Sequence, residues 1–294
     1  MILPVTINVQ MIVSRLIRRL SSVSIISTKT AVIGVIVPVV ILVPGVLGRL
    51  TARVAQLLDS HGYSVVLLDE ITDADLEAGL RYVDNDICAP AIAIIGQYMR
   101  WAEQHAGVEE ISVLAPILCH SCRSISLRDT LDVVFKRAGY HDVKLVELSS
   151  SELRALAEPA VEEALIAHST TIGLCGNVPV LTIKELRRTV CTHLENSGVS
   201  VVIPPLKRIL DQQDFLTPSL EYFSEVGIRT AICILPFGCM SGHVYARGQV
   251  RELRKRFPEI DLTILDYDPS ASDINLLNRA ELVIQAAAER SAKR

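Results

Sequence analysis

A two-lobed α/β protein is predicted by three features of this 294-residue chain. Short β-branched apolar runs alternate with helix-periodic segments from Val39 onward. The alternation starts again after a polar break at Ser149–Ser151. Capping or turn residues mark most of the junctions. Strands that alternate with helices build parallel sheets, because a parallel partner is reached only by crossing over a face of the sheet. The expectation is two Rossmann-like or flavodoxin-like lobes, residues 31–150 and 151–294, each a parallel sheet flanked by helices. Residues 1–30 are expected to form an N-terminal extension, disordered or peripheral. At about 150 residues per domain the length agrees.

In the first series, Val39–Val43 reads as a strand, followed by Leu47, Leu50, Val54, Leu57 and Leu58 at helical spacing, with Gly62 as the stop. Ser64–Leu68 is the next strand. Thr72 with Asp75 has the form of a capping box opening a helix to about Val83. Pro90 suits the first turn of a further helix. Ile111–Ala115 is a strand, Leu127–Phe135 a helix closed by Gly139, and Val143–Leu148 a strand.

The second series begins with a strand at Thr171–Leu174. Thr182 with Glu185 is expected to cap a helix carrying Leu186, Val190 and Leu194, closed by Gly198. Strands follow at Val199–Ile203, Thr230–Leu235 and Leu262–Leu265. Helices are expected at Leu216–Val226, Val244–Phe257 and Leu276–Ala288.

Half of the chain is hydrophobic, with one Trp, seven Tyr and five Phe, so the apolar mass is aliphatic. That composition supplies a core and excludes global disorder. A net charge of −4 speaks against a nucleic-acid partner held by bulk positive charge. The first acid is Asp59; before it come Arg15, Arg18, Arg19, Lys29, Arg49 and Arg53. Over residues 11–26, Arg15, Arg18 and Arg19 stand beside Met11, Ile12, Val13, Leu16, Ile17, Leu20 and Val23. Such a pattern suits a membrane surface or a targeting segment, or a frayed extension outside the fold, which is the preferred reading. The uncharged run Ala31–Gly48 is at the lower edge of a membrane span. Pro38, Pro44, Gly34, Gly45 and Gly48 interrupt it, which favours buried strands ending at a Pro-Gly turn.

Seven cysteines are too few and too scattered for a disulfide scaffold. Sites in open α/β sheets lie at the carboxyl ends of strands. Cys88, Cys119, Cys122 and Cys239 all stand where a helix N-terminus favours a thiolate. Cys191 and Cys233 fall inside a helix and a strand and read as buried hydrophobes. Cys175 is undecided. Cys119 and Cys122 form a single C-x-x-C, compatible with zinc or thiol redox chemistry. Asp266, Asp268, Ser272 and Asp273 crowd one turn, where capping of the last helix is preferred over metal binding.

Asn85-Asp86-Ile87-Cys88-Ala89-Pro90-Ala91 resembles the N-E-x-C-Y-P-A segment of the acyl-CoA dehydratase activase-related proteins, kin of the 2-hydroxyacyl-CoA dehydratase subunits. Cys122-Arg123-Ser124 is similar to their G-G-x-C-R-x-S/T segment, and Pro236-Phe237-Gly238-Cys239 to their Q-P-F-G-C. Asp266–Asn275 with Asn278-Arg279 is similar to their D-x-D-P-G-x-S-E-x-N-x-x-N-R ending. The motifs keep their order from about Val43 to the C-terminus. Two positions depart: His120 and Ser121 replace the glycines, and Ala89 replaces the tyrosine.

The resemblance implies an iron–sulfur cluster, of the 4Fe–4S type, held by Cys88, Cys122 and Cys239, with Arg123 beside it tuning the cluster or holding an anion. The altered loop leaves Cys119 as an alternative to Cys122. His120 and His243 are nearby and read as ordinary loop histidines. Three ligands leave one iron position open, either for a substrate oxygen or for an outside thiol in electron transfer.

No glycine-rich phosphate loop is present, so the chain is expected to be a stand-alone module. It is expected to be cytoplasmic and to depend on a separate ATP-using activase or dehydratase subunit; a homodimer is compatible with this. The implied activity is low-potential electron transfer or cluster-dependent reduction or dehydration. A non-enzymatic accessory or scaffold partner, or a zinc or thiol-redox protein using Cys119 and Cys122, are the alternatives.

Overall fold

The structure is a computed structural model, and it describes residues 9–24, 40–84, 86–105, 111–118, 126–157, 170–210, 214–268 and 271–292. Two four-stranded parallel sheets, each flanked by helices, form its two lobes. The first sheet contains β1 (Val40–Val43), β2 (Ser64–Leu67), β3 (Ile111–Pro116) and β4 (Lys144–Leu148), in the order β2-β1-β3-β4. The second contains β5 (Thr170–Cys175), β6 (Val199–Val202), β7 (Thr230–Pro236) and β8 (Asp261–Tyr267), in the order β6-β5-β7-β8. The two sheets therefore share one topology. In each, the chain winds outward from its first strand and then returns to the other side. The strand order reverses between β1 and β3, and between β5 and β7, and this reversal opens a crevice at the strands' carboxyl ends. Every residue of the central strands β3 and β7 is buried, as continuous apolar runs in parallel sheets require.

In the first lobe, α1 (Val9–Ser24), α2 (Arg49–Ser60) and α6 (Ser150–Leu156) form one helical layer. On the other side of the sheet lie α3 (Asp73–Gly79), α4 (Ala89–Gln104) and α5 (Leu127–Arg137). The Thr72–Asp75 capping box is present: the Asp75 carboxylate accepts the Thr72 N–H at 2.8 Å, and also binds Arg100 at 2.6 Å. The helix that it opens ends at Gly79, short of Val83. A second capping box, Ser149 with Glu152, opens α6 inside the polar break, which the sequence reads as preceding a helix interrupted at Pro159.

In the second lobe come α7 (Val178–Thr182), a 3₁₀ turn (Lys184–Arg187), α8 (Arg188–Asn196), α9 (Leu206–Ile209) and α10 (Leu216–Glu225). A π-helical turn (Ser241–Ala246), α11 (Arg247–Arg256) and α12 (Ile274–Ala292) complete it. Thr182 closes α7 rather than capping α8. Its hydroxyl is spent on the Val178 carbonyl at 2.9 Å; the side-chain cap lies at the start of α7, on Asn177, and α8 starts from Arg187 without one.

The expected N-terminal extension differs most from its reading. Residues 9–24 form a helix packed on the first lobe, with Ile12 and Leu16 fully buried. Arg19 reaches across to the Glu147 carbonyl at 2.9 Å and the Glu152 carboxylate at 3.3 Å. The amphipathic stripe that suggested a membrane surface instead covers β4, α2 and α6; the same apolar face serves either surface. Residues 1–8 and 25–39 lie outside the described residues, among them half of the uncharged run. Among the described residues, no helix is long and apolar enough to cross a membrane. Leu16→Ala is expected to cost about 2 kcal/mol or more in urea unfolding, as a buried leucine does. Exposed Arg15→Ala should stay within about 0.5 kcal/mol. Equal, negligible effects would return this segment to the periphery.

Candidate functional site

Two of the motif cysteines meet where the lobes face each other. Cys88 caps the N-terminus of α4, in extended backbone (φ −62°, ψ 142°), and its carbonyl accepts the Ala91 N–H at 2.9 Å. Pro90 follows in the first turn, as expected. Cys239 lies in the loop after β7. That loop is anchored at both ends: Phe237 N–H donates to the Tyr267 carbonyl at 2.7 Å, and Cys239 N–H to the Pro236 carbonyl at 3.1 Å. Between them Gly238 adopts φ 72°, a left-handed conformation that favours glycine. A Cβ there would lie 3.3 Å from the Asp86 carbonyl oxygen and from Cys88 Cα and N. The backbone before Cys239 therefore lies directly against the backbone of Cys88. Both thiols are buried, with Cys88 7% and Cys239 2% exposed.

The surroundings of the Cys239 sulfur are built from three sides. Asn177 Nδ2 donates to it at 3.1 Å, and the Gly242 N–H donates at 3.3 Å. Ser241 Oγ lies 3.3 Å away and can also donate. The π-helical turn immediately after Cys239 brings Ser241 and Gly242 round to the sulfur, and π turns often serve functional sites in this way. Donors converging on one sulfur suit its anionic form, which is the form that ligates metal.

Cys119, His120, Ser121, Cys122 and Arg123 lie outside the described residues, as do Asn85, Pro269 and Ser270. Among the described residues, no group of three or more His, Cys, Asp or Glu side chains is arranged to hold a metal ion. The remaining cysteines are core residues. Cys175 and Cys233 are free thiols, fully buried and directly opposite each other on β5 and β7. The hydrogen bond between them, together with burial, holds the Cys233 thiol well above its ordinary value. Cys191 on α8 is likewise raised by burial, against the pull of Arg187. This resolves Cys175, which the sequence leaves open, as a core residue.

Several side chains of the acidic turn near the C-terminus are engaged in ion pairs and hydrogen bonds. Asp266 pairs with Arg247 and, at 3.9 Å, with Arg279. Asp273 accepts from Thr189 at 3.0 Å, and the Ile274 N–H approaches Ser272 Oγ at 3.4 Å, at the start of α12.

Charged side chains tie the lobes together beside this cleft. Lys184 meets Glu70 at 2.6 Å, and Arg188 meets Asp73 at 2.8 Å and Glu185 at 2.7 Å. Burial and a hydrogen bond to Asp73 hold the Glu185 carboxyl above its ordinary 4.5, with Arg188 opposing. A carboxyl raised in the folded state stabilises the fold at low pH, and that contribution is lost as pH rises through the folded value. The melting temperature of the wild type is therefore expected to fall relative to Glu185→Gln as pH rises from about 4.5 toward neutrality. A difference that does not vary with pH would show that this pair does not share a proton.

Compared with known proteins, the chain matches no family model and no curated protein.

Proposed function

We propose that this chain is an iron–sulfur protein of the 2-hydroxyacyl-CoA dehydratase and activase group, with Cys88, Cys122 and Cys239 as the cluster ligands. The observation that carries the reading is the meeting of Cys88 and Cys239. They are 151 positions apart in sequence and belong to different lobes, yet their backbones come together through Gly238. Cysteines that merely filled two separate cores would not require the loop of one lobe to press against the helix N-terminus of the other. The donor set at Cys239 adds to this, because a core thiol has no use for converging N–H groups.

A bound cluster would supply one-electron chemistry at low potential, or a Lewis-acidic iron for a substrate oxygen. The chain's own part is to present thiolates at a cleft, keep water from the buried sulfurs, and offset negative charge with the dipole of α4 and the donors around Cys239. Electrons would come from a separate ATP-using activase. Exposed Phe237, Met240 and Val244 surround the Cys239 loop and are the kind of apolar rim that a protein partner covers. The same rim supports the alternative of a non-enzymatic accessory that docks on such a partner.

Anaerobic reconstitution with iron and sulfide tests the proposal. Uptake of about four iron with matching acid-labile sulfide and broad charge-transfer absorption is expected. Failure to retain iron, or stoichiometric zinc in its place, would overturn it.

A further inference from the structure

We propose that Asn177 is a positioning residue that holds and electronically tunes Cys239; as a statement about a cluster ligand it rests on the reading above. Asn177 caps α7 from the end of β5, 62 residues from Cys239 in sequence and one strand away in the sheet. It is 4% exposed. Its Oδ1 accepts the Val180 N–H at 3.1 Å. That bond settles the orientation of the amide: with the oxygen committed to a backbone donor, the NH₂ group must point the other way, at the sulfur 3.1 Å off. A buried NH₂ facing a hydrocarbon would be costly, so the residue is worth retaining only if it has an acceptor there. Cys239 provides it. The side chain thus does two separable things: it caps a helix with its oxygen and serves the thiol with its nitrogen.

The consequences follow from electrostatics. A donor aimed at sulfur stabilises negative charge on it and fixes the direction in which its lone pairs face. In a cluster, hydrogen bonds to ligand sulfur withdraw electron density and raise the reduction potential. Asn177 is therefore a control on the ease of reduction at this ligand, alongside the Ser241 and Gly242 donors, which come from the Cys239 turn itself.

Asn177→Ser separates the two roles, because serine caps a helix about as well as asparagine but is too short to reach the sulfur. Asn177→Asp keeps the cap and replaces the donor with an acceptor. The measurement is the midpoint potential of the reconstituted full chain, read beside its iron and sulfide content. The potential is expected to fall in Asn177→Ser, and further in Asn177→Asp, with the melting temperature of Asn177→Ser close to that of the wild type. An unchanged potential in Asn177→Ser, with iron loaded and the fold intact, would reduce Asn177 to a helix cap and overturn the proposal.

Asn177→Ser is expected to keep its iron, because no thiolate is lost. The two readings fail separately: wild-type protein that takes up no iron removes the cluster and this tuning role with it, whereas normal iron loading with an unchanged potential in Asn177→Ser overturns the role of Asn177 alone.

Discussion

Gly96→Ala is expected to be the most damaging single methyl group in this chain, costing at least about 4 kcal/mol or preventing folding altogether. A Cβ at position 96 would lie 1.7 Å from the Asp75 carbonyl oxygen and 2.5 Å from the Gly79 nitrogen. These are backbone atoms of α3 and cannot rotate aside. Gly79 is the other half of the crossing: its Cβ would lie 2.1 Å from the Ile92 carbonyl oxygen on α4. Helix propensity alone argues the opposite way, since alanine in a helix interior is about 1 kcal/mol better than glycine. The clash exceeds that gain several-fold, so the sign is decided by packing. Gly248→Ala in α11 is the control. Nothing lies within 4 Å of its Cβ, so propensity acts alone and the change should be neutral or slightly stabilising. Urea unfolding of both variants measures the contrast. The consequence reaches the site, because α4 carries Cys88 at its N-cap; a helix pushed off α3 moves that thiol.

That crossing also shows what a single sequence conceals. A glycine inside a helical pattern registers only as a weak spot, and nothing local says that another backbone touches it. Features whose cause is local were readable in advance. Thr72 with Asp75, Pro90 behind Cys88, and Gly139 with its φ of 91° act within a few residues of themselves, and each does what its chemistry implies. The alternation of strand and helix was equally legible, because burial on both faces of a parallel sheet writes itself as continuous apolar runs. The N-terminal helix lies between these cases. Its stripe of Ile12 and Leu16 was plain, but a stripe does not name the surface that it covers.

The candidate site divides along the same line. The positions of Cys88 and Cys239 at strand-to-helix junctions could be read from the chain, and the motifs added their pairing. Asn177 could not. Gly176-Asn177-Val178-Pro179 after a strand is a cap signal, and Thr182 with Glu185 five residues on offered a competing one. The bond from Asn177 to a sulfur 62 positions away has no local trace. Cys175 was ambiguous for a similar reason. A cysteine at the end of a strand has two faces open to it, the crevice and the sheet core, and only the pairing with Cys233 on the neighbouring strand decides it.

Replacing the three motif cysteines is expected to have the largest effect on chemistry. Cys88→Ala, Cys122→Ala and Cys239→Ala should each lose most of the iron that wild-type protein takes up, because an iron without its thiolate has lost an anionic ligand and not merely a contact. Cys191→Ala and Cys233→Ala should retain it. The structure buries both thiols in packed cores, one on α8 and one beside Cys175, so their cost should be packing alone, about 1–2 kcal/mol. Iron and sulfide analysis with charge-transfer absorption reads the first effect, and urea unfolding the second. Gly238→Ala adds an arm that replaces no ligand. Its Cβ would press on Cys88 Cα and N at 3.3 Å from a backbone with positive φ. Iron loading should therefore weaken although every thiol is present, as expected if the facing of the two loops is what assembles the site. Cys119→Ala distinguishes the two thiols of the C-x-x-C: retained iron assigns Cys122, whereas loss at Cys119 with retention at Cys122 moves the ligand by three positions. Iron content unchanged across all of these variants would remove the cluster from this cleft and leave the accessory or zinc reading in its place.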